Sequence, residues 1–217
     1  MIDKYLLFYY TIPDSTAVCP RGTTEQEEGM EKKIDFRVQR TYTLLTSAMM
    51  DLLKEKSFDE ITVGELCERA MIRRATFYKH FADKFELFAF AIRELEQAFE
   101  RENKLIYEVS HPKAFYLAMI DRALQFVEQN AAVFTSVFKS RSSQMLLDIL
   151  SNEIERDTLL HLKADEANGA DLPGRPELLA AVMTGALVYI MRWWVRHDLR
   201  MPRSELLEVY ASLVRIV

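Results

Sequence analysis

Cysteine, glycine and proline are scarce in this chain of 217 residues, which has two, six and six of them respectively. Two cysteines cannot build a disulfide framework, and we expect Cys67 to be a small buried apolar residue of a cytoplasmic protein. The few glycines and prolines leave long uninterrupted segments, and strand-like alternation of apolar and polar residues is also missing. With 49% hydrophobic residues the chain can still bury a core, so we predict an all-α protein.

Motifs for catalysis and for cofactor binding are absent from the sequence as well. The four histidines are scattered along the chain, and neither an HExxH motif nor a paired cysteine spacing offers a metal site. No phosphate-binding P-loop, no dinucleotide-binding GxGxxG and no nucleophile elbow GxSxG occurs. We therefore expect no enzyme, no cofactor and no metal.

A run long enough to cross a membrane is not present, and positive charge is not in excess. The most apolar segment, residues 178–191, has 14 residues, fewer than the roughly 20 that a bilayer requires. The net charge of -5 argues against indiscriminate nucleic-acid binding. Residues 30–84 nevertheless carry 11 basic and 9 acidic residues, a net +2, whereas residues 85–217 carry 15 and 19, a net -4. Contact with DNA by the first of these parts fits this distribution.

One stretch, residues 61–87, has the pattern of two helices joined by a short turn and followed by a third. Thr62 is expected to cap the first helix in a capping box with Glu65. Met71 and Ile72 form an apolar connector, and a second short helix comes next, over about residues 74–81. Asp83 and Glu86 predict another capping box, which starts the third helix.

The second short helix is expected to turn Phe77 and Phe81 inward and a basic, aromatic face outward. This is the layout of a helix-turn-helix DNA reader, in which apolar residues fix the helix and polar ones reach phosphates and base edges. The alternative is an amphipathic helix with a solvated face, and the geometry alone leaves both open. The outward residues are Arg73, Arg74, Thr76, Tyr78, Lys79 and His80.

The detailed sequence of this stretch favours the DNA reader. ITVGELCERAMIRRATFYKHFADKFEL, and above all ATFYKHFADK at residues 75–84, resembles the DNA-binding signature of TetR-family transcriptional repressors. The resemblance covers about residues 37–87; the remainder is similar only in length, helical character and a Trp-rich late helix. It implies an N-terminal three-helix DNA-binding domain and a helical-bundle domain that binds a small-molecule effector and dimerises. Effector binding would pivot the fourth helix and release double-stranded operator DNA.

The resemblance also implies roles for individual residues. Thr76, Lys79, His80 and Lys84 would hold phosphates, while Arg74 and Tyr78 would read base edges. The complete expected set for DNA binding is Thr62, Arg73, Arg74, Ala75, Thr76, Tyr78, Lys79, His80 and Lys84.

The sequence departs from the family pattern at the turn and at one position before it. Met71-Ile72-Arg73 stands where the family usually has Gly-Val-Ser, and losing the serine cap costs about 1 kcal/mol. Arg73 and Arg74 also lie at the positive end of a helix dipole, which is mildly unfavourable for a cation. Contact with DNA explains two arginines at this position more readily than folding does. Gly64 stands at a position where related proteins often have a longer side chain close to the base edges of the DNA. These departures keep open an alternative function, a helical ligand sensor or partner-binding module without specific DNA binding.

Residues 1–29 differ in character from the remainder of the chain. A signal peptide is one alternative, but the apolar run at residues 5–12 is short and lacks a convincing cleavage site. Residues 26–29 can be encoded by a purine run resembling a ribosome-binding site upstream of Met30. We therefore expect a non-native or disordered extension at residues 1–29, a DNA-binding domain at residues 30–86 and a regulatory domain at residues 87–217.

The regulatory domain offers a candidate effector pocket and a candidate dimer interface. Aromatic and Met side chains are more often ordinary core than ligand contacts, so the pocket rests on the family resemblance. Its candidates are Phe115, Met119, Phe126, Phe134, Phe138 and Met145. The segment at residues 177–195 is apolar on nearly all sides and needs a partner, of which a second copy is the simplest. The interface candidates are Gly185, Tyr189, Trp193, Leu206, Leu207, Tyr210 and Leu213.

Overall fold

The computed structural model describes residues 36–109 and 112–213, with side chains except at residues 102–113 and 213. Helices and short connections make up these two ranges, and no strand occurs in them. The helices are α1 (Phe36–Glu55), α2 (Val63–Arg69), α3 (Arg74–His80), α4 (Lys84–Val109), α5 (Pro112–Gln129), α6 (Ala131–Lys139), α7 (Ser143–Ala167), α8 (Pro176–Arg196) and α9 (Arg203–Leu213). A 3-10 turn, Phe58–Glu60, lies between α1 and α2. The all-α prediction is confirmed, whereas the expected extension at residues 1–29 lies outside the described residues.

Helices α1 to α3 pack on one another through buried side chains that belong to one continuous core shared with the other helices. Helix α1 buries Leu45, Met49 and Leu53 completely or almost completely, at i, i+4 and i+8. Phe58 and Phe77 are also fully buried, so the 3-10 turn and α3 contribute one aromatic ring each. Leu44 is 37% exposed, because it lies one step off this buried face.

Helices α4 to α9 form a second, larger bundle, and α8 packs along α7 more extensively than any other helix pair does. Helix α8 is long and apolar enough to cross a membrane by length and composition, with 44% of its most apolar window buried. Its buried positions include Ala180, Met183, Leu187 and Trp194, which pack inside the bundle. One side of this helix is therefore buried in the bundle, while its other side is exposed.

Several connections join α1 to α3 to the remaining helices, including the packing of α1 against α6. Helix α4 runs from Lys84 beside α3 deep into the bundle. A further connection is the Asp59 carboxylate, which accepts hydrogen bonds from the backbone N–H groups of Arg141 and Ser142 and from the Ser142 hydroxyl. These bonds lower the pKa of Asp59, with the Ser142 hydroxyl as the largest cause. Nearby, the Ser136 hydroxyl donates to the carbonyl oxygen of Lys56 at 2.8 Å, so α6 and the start of α7 rest on the segment after α1.

Candidate nucleic-acid interface and internal cavity

The first helix of the helix-turn-helix begins with the predicted capping box. The Glu65 amide donates to Thr62 Oγ1 at 3.2 Å, and the Thr62 amide donates to Glu65 Oε2 at 3.0 Å. Glu65 also pairs with Lys56, and its hydrogen bonds to Lys56 and then to Thr62 lower the pKa of Glu65 to about 2. The cap is therefore fixed in its charged form at neutral pH, and Thr62 remains exposed at the amino end of α2.

The turn between the two helices ends α2 in a Schellman motif. The Ile72 amide donates to the Cys67 carbonyl at 2.8 Å, and the Met71 amide donates to the Glu68 carbonyl at 3.1 Å. This motif requires a residue in the left-handed conformation directly after the C-cap residue of the helix, and Met71 occupies that position with a φ of 54°. Met71 thus adopts a conformation that glycine accepts without strain, and its side chain is 94% exposed.

Helix α3 presents a cationic face to solvent. Arg73, Arg74, Ala75, Tyr78 and Lys79 are exposed, whereas Thr76 and His80 are half-buried. Residues 73–82 include no acidic residue, and none of the ion pairs within the described ranges involves Arg73, Arg74 or Lys79. Arg73 forms no side-chain hydrogen bond as the N-cap, as expected from the missing serine. The face therefore keeps its positive charge available for an anionic partner.

Two side chains of the predicted set have contacts that fix their positions. His80 packs edge-on against Tyr42 of α1, with 5.2 Å between ring centroids, and Tyr42 Oη lies 3.4 Å from His80 Nδ1. Arg74 lies back over α2, where a Cβ added at Gly64 would clash with its guanidinium Nη2. The absence of a side chain at Gly64 therefore makes room for the Arg74 guanidinium.

Lys84 does not have the arrangement expected of a phosphate contact. Its amino group donates to the carbonyl oxygens of Phe58 and Ile61, both at 2.8 Å, and to that of Asp59 at 3.3 Å. It also lies 4.7 Å from the centre of the Phe58 ring. An ammonium has three donors, and all three are directed at the end of the 3-10 turn. Lys84 thus stabilises the turn, and partial burial lowers the pKa of its amino group.

The start of α4 has the second predicted capping box with one difference. Asp83 Oδ1 accepts from the amides of Phe85 and Glu86 at 2.8 and 2.9 Å. The Glu86 carboxylate returns to the amide of Ala82 at 2.6 Å rather than to that of Asp83. Helix α4 therefore begins at the expected place, directly after α3.

An internal cavity of about 150 Å³ lies between α1 and the helices of the larger bundle, with α4 along one side. An apolar cavity of roughly this size can hold a ligand as large as a benzene ring. Helix α4 lines it with Phe88, Ile92, Leu95 and Phe99, so the helix that begins beside α3 also forms a wall of the cavity. Helices α1, α5, α6, α7, α8 and α9 provide the other walls.

Polar groups also line the cavity. Glu96 and Asp157 line it from α4 and α7, and burial, followed by repulsion from Asp157 and Glu153, raises the pKa of Glu96 to about 8. Thr184 is only 2% exposed, and its hydroxyl oxygen has no hydrogen-bond partner in the part of the chain that the structure describes. A ligand group that accepts or donates a hydrogen bond would satisfy Thr184. Glu96 could have been found from its spacing to Ile92 and Phe99 on the inward face of α4.

Three of the six residues predicted for the effector pocket line this cavity. Met119, Phe126 and Phe134 do so. Met145 is 54% exposed and lies outside the lining, because the first turn of α7 directs it to solvent. Phe115 and Phe138 are buried elsewhere: the Phe115 ring packs against His161 and Tyr116, and the Phe138 ring against Phe134. Their aromatic character indicated burial but not the direction of burial.

The predicted dimer interface requires a larger correction. Leu206 and Tyr210 are 3% and 1% exposed, and the Tyr210 hydroxyl donates to the Met183 carbonyl at 3.0 Å. Both residues therefore belong to the core of one subunit. Trp193 is half-buried and stacks on His197, Leu207 is half-buried, and the side chain of Leu213 lies outside the described residues.

The exposed apolar face of α8 is the remaining candidate for self-association. Leu178 is 64% exposed, Val182 53% and Tyr189 70%. Together with Gly185 they recur at i, i+4, i+7 and i+11, which is one face of a helix. A Cβ at Gly185 would meet nothing within 4 Å, so close packing inside the subunit does not require this glycine. On the neighbouring helix α7, Leu160 is 61% exposed.

The N-terminal domain matches a family model and two curated proteins. The model for bacterial regulatory proteins of the tetR family matches residues 45–90. The uncharacterised HTH-type transcriptional regulator YxbF of Bacillus subtilis is 47% identical over 62 residues, which are 28% of this chain and 16% of that protein. A second uncharacterised regulator of the same organism, YdeS, is 44% identical over 48 residues, 22% of this chain and 24% of that protein. The likeness therefore spans less than a quarter of either relative.

The whole fold is similar to that of solved structures. A TetR-family transcriptional regulator from Syntrophomonas wolfei has a TM-score of 0.63 at 13% identity, over 82% of this chain and 94% of that one. At this identity the likeness concerns the fold alone, and it extends through the helical bundle that contains the cavity.

Proposed function

We propose that this chain is a transcriptional regulator of the TetR family, which binds operator DNA as a homodimer and releases it on binding a small molecule. The observation that carries this proposal is the acid-free cationic face of α3, fixed by Phe77 on a capped and Schellman-terminated α2. A helix of this kind enters the major groove in helix-turn-helix proteins. We infer a cytoplasmic protein that regulates transcription and catalyses no reaction.

In this proposal residues 30–86 bind DNA and residues 87–217 bind the effector and the second subunit. Arg74 and Tyr78 read base edges, while Thr76, Lys79, His80 and the amino end of α2 at Thr62 contact phosphates. Arg73 and Ala75 lie at the start of α3, where its first turn meets the DNA. Lys84 is excluded from this set, because its donors are directed at carbonyl oxygens.

Helix α4 supports the proposed mode of release. It begins one residue after Asp83, beside α3, and further along it lines the cavity. A ligand larger than the present cavity has to displace this wall, and the displacement reaches the DNA-binding domain because the helix is continuous. The two recognition helices of a dimer must lie roughly 34 Å apart to fit adjacent major grooves. A changed separation therefore weakens binding.

The dimer we propose is formed by the exposed face of α8 together with Leu160 of α7. An apolar stripe left in water is unfavourable, and a two-fold axis buries the same stripe on both subunits. The absence of a side chain at Gly185 would let the two α8 helices approach closely.

The alternative function, a helical ligand sensor without specific DNA binding, is favoured by one observation. Arg74 lies over Gly64 rather than extending outward, so the best candidate base reader is folded back onto α2. Selection of genomic DNA fragments by the purified protein distinguishes the two. Recovery of one recurrent sequence supports the transcriptional regulator, provided that the wild type binds this sequence and the double variant Lys79→Ala/Arg74→Ala does not. Fragments without any common sequence would favour the sensor.

A further inference from the structure

Three metal-ligating side chains meet between α4 and α7. Glu100 comes from α4, and Asp157 and His161 come from α7, where they lie one turn apart. Their ligand atoms all lie within 4.8 Å of one another, and all three residues are half-buried. We propose that Glu100, Asp157 and His161 bind a divalent transition-metal ion such as zinc and thereby connect α4 to α7.

The orientation of the His161 ring suits a metal ligand. His161 Nδ1 lies 3.1 Å from the backbone carbonyl oxygen of Asp157. A carbonyl oxygen only accepts, so Nδ1 carries the hydrogen in this bond and Nε2 keeps its lone pair in the neutral ring. Histidine ligands of metals commonly donate their other nitrogen to a carbonyl or carboxylate in this way. The packing of Phe115 against the His161 ring at 5.1 Å holds it in place.

The distance between the two helices also suits a metal. His161 Nε2 lies 3.4 Å from Glu100 Oε1. Two ligands at about 2.0–2.2 Å from a tetrahedral zinc ion are roughly 3.4 Å apart, so this pair already has the required separation. The Asp157 carboxylate is 3.8 Å from Nδ1 of the same ring, and rotation of this side chain brings it to the ion. Water can fill the fourth position.

The surrounding charge favours a cation at this place. Asp157 and Glu153 both lie close enough to Glu96 to repel its charged form. Arg93 and Arg156 both bind Glu153, at 2.6 and 3.0 Å, so these two arginines are directed mainly at the carboxylate that does not belong to the trio. The remaining carboxylates are those of Glu96, Glu100 and Asp157. The nearby cationic groups are His161, Arg101 beside Glu100, and Arg156 beside Glu96. A divalent ion placed among the carboxylates offsets this repulsion.

The mixed ligand set selects the kind of ion. A histidine nitrogen with two carboxylates suits zinc, cobalt, nickel or manganese, whereas magnesium and calcium prefer oxygen ligands alone. The sequence concealed the trio because its ligands come from separate helices and form no continuous motif. A protonated His161 bound to the two carboxylates is the competing arrangement, and it needs no metal.

Binding of the ion has a consequence for α4. Glu96 and Phe99 of α4 line the cavity, and Glu100 follows them, directly after Phe99. A metal ion bound by Glu100, Asp157 and His161 would therefore fix this end of the cavity wall to α7. Any effect of the bound metal on the affinity for operator DNA depends on the proposed function being correct. Binding of the metal itself does not, and it is measured without DNA.

The test is titration of the purified full chain with zinc by isothermal calorimetry, together with melting curves in zinc and in magnesium. We expect one zinc ion per chain and a higher melting temperature in zinc but not in magnesium. His161→Gln and Glu100→Gln should each weaken binding at least tenfold. His197→Gln is the matched control, because His197 Nδ1 makes the same contact to a carbonyl four residues earlier, at 2.7 Å, without belonging to the trio.

Cobalt gives an independent measurement, because its visible absorption reports tetrahedral coordination. The band should appear in the wild type and in His197→Gln and be missing in both trio variants, whose folding is checked by circular dichroism. If one trio variant does not fold, the other decides. Absence of zinc binding by the wild type, equal binding by the folded variants, or an equal effect of magnesium would each overturn the proposal.

Discussion

Lys79 and Lys84 lie close together in the chain, yet their amino groups have different surroundings. Lys79 is exposed on the cationic face of α3, whereas Lys84 donates to three carbonyl oxygens at the end of the 3-10 turn. Lys84→Met keeps most of the apolar stem and removes a charged hydrogen-bond donor. We expect it to lower the free energy of unfolding by about 2 kcal/mol, measured by urea denaturation.

Lys79→Met is the control for this prediction. It should leave the free energy of unfolding unchanged and reduce the salt dependence of DNA binding by about one ion. If Lys84→Met unfolded at the same urea concentration as the wild type, its carbonyl contacts would not stabilise the turn, and a phosphate contact would again be the better role.

Arg74 is the residue whose role depends most on its position. In the free chain its guanidinium lies over Gly64, and to read a base edge it has to turn toward the major groove. Arg74→Ala should cost about 1–3 kcal/mol at the operator and relax sequence preference there, as expected for a bidentate base contact. Gel shifts with operator and with random DNA measure both. An equal loss on the two DNAs would show that Arg74 contacts only phosphate.

Glu96 gives stability a dependence on pH. Its pKa is about 8 in the folded chain and 4.5 as the ordinary value, so the unfolded chain releases this proton at lower pH than the folded one. Its contribution to stability is therefore lost as pH rises from about 4.5 to about 8. Glu96→Gln removes this loss, and since one pKa unit is worth about 1.4 kcal/mol, we expect a gain on the order of 2 kcal/mol at pH 8 and little gain at pH 5.

Melting temperatures from pH 5 to pH 9 test this prediction. Glu166→Gln, at an exposed position near the end of α7, is the matched control and should behave like the wild type throughout. Parallel curves for Glu96→Gln and the wild type would mean that Glu96 ionises normally in the folded protein.

At the scale of elements, the turn between α2 and α3 contains the clearest source of strain. Met71 holds a φ of 54° at the left-handed position of the Schellman motif. A left-handed conformation costs a non-glycine residue roughly 1–2 kcal/mol. Glycine avoids this cost, but part of the gain is offset because glycine loses more conformational entropy on folding. Met71→Gly should therefore stabilise the protein by about 1 kcal/mol in urea denaturation.

Met71→Ala separates the backbone from the side chain in this test. Alanine keeps a Cβ at the same φ, and the Met71 side chain is 94% exposed, so its removal should change little. Equal stability of the alanine and glycine variants would show that the backbone at this turn carries no appreciable strain.

Elements whose signals are local were predictable from the sequence. Thr62 with Glu65 located the start of α2, because a capping box needs only residues three apart. The periodicity of Phe77 and Phe81 located the buried face of α3. The conformation of Met71 was not predicted, because nothing in the neighbouring residues signals a left-handed methionine.

Features that depend on distant residues were less predictable. Tyr210 was expected at the dimer interface, but its hydroxyl reaches Met183 inside the subunit, and helical periodicity cannot tell which neighbour covers an apolar face. Lys84 was expected to face DNA, and its carbonyl partners come from the turn before α2. The cavity residue Thr184 was missed for the same reason, since only folding brings α8 against α4, whereas the spacing of Glu96 to Ile92 and Phe99 was a local signal that was not used.

At the scale of the whole molecule, self-association is the property most open to measurement. Gly185 lies between Val182 and Tyr189 on the exposed face of α8, and Gly185→Arg should place a bulky charge in the proposed interface. We expect monomers or aggregates with unchanged helix content and weak operator binding, measured by light scattering and circular dichroism. Gln97→Arg adds the same side chain at an exposed position of α4 and should remain dimeric. A wild-type mass near 25.3 kDa would contradict the dimer.

The contact of Asp59 with the start of α7 restricts how the DNA-binding domain can move. A body attached only through α4 could swing in many directions, whereas α1 to α3 are also held at Asp59 by Ser142, at Lys56 by Ser136, and along α1, which packs against α6. Contacts on several sides of one body oppose its free rotation about α4. In the proposed mechanism a ligand would therefore turn α3 only by straining these contacts, and removal of the Asp59 carboxylate should lower the resistance to that rotation.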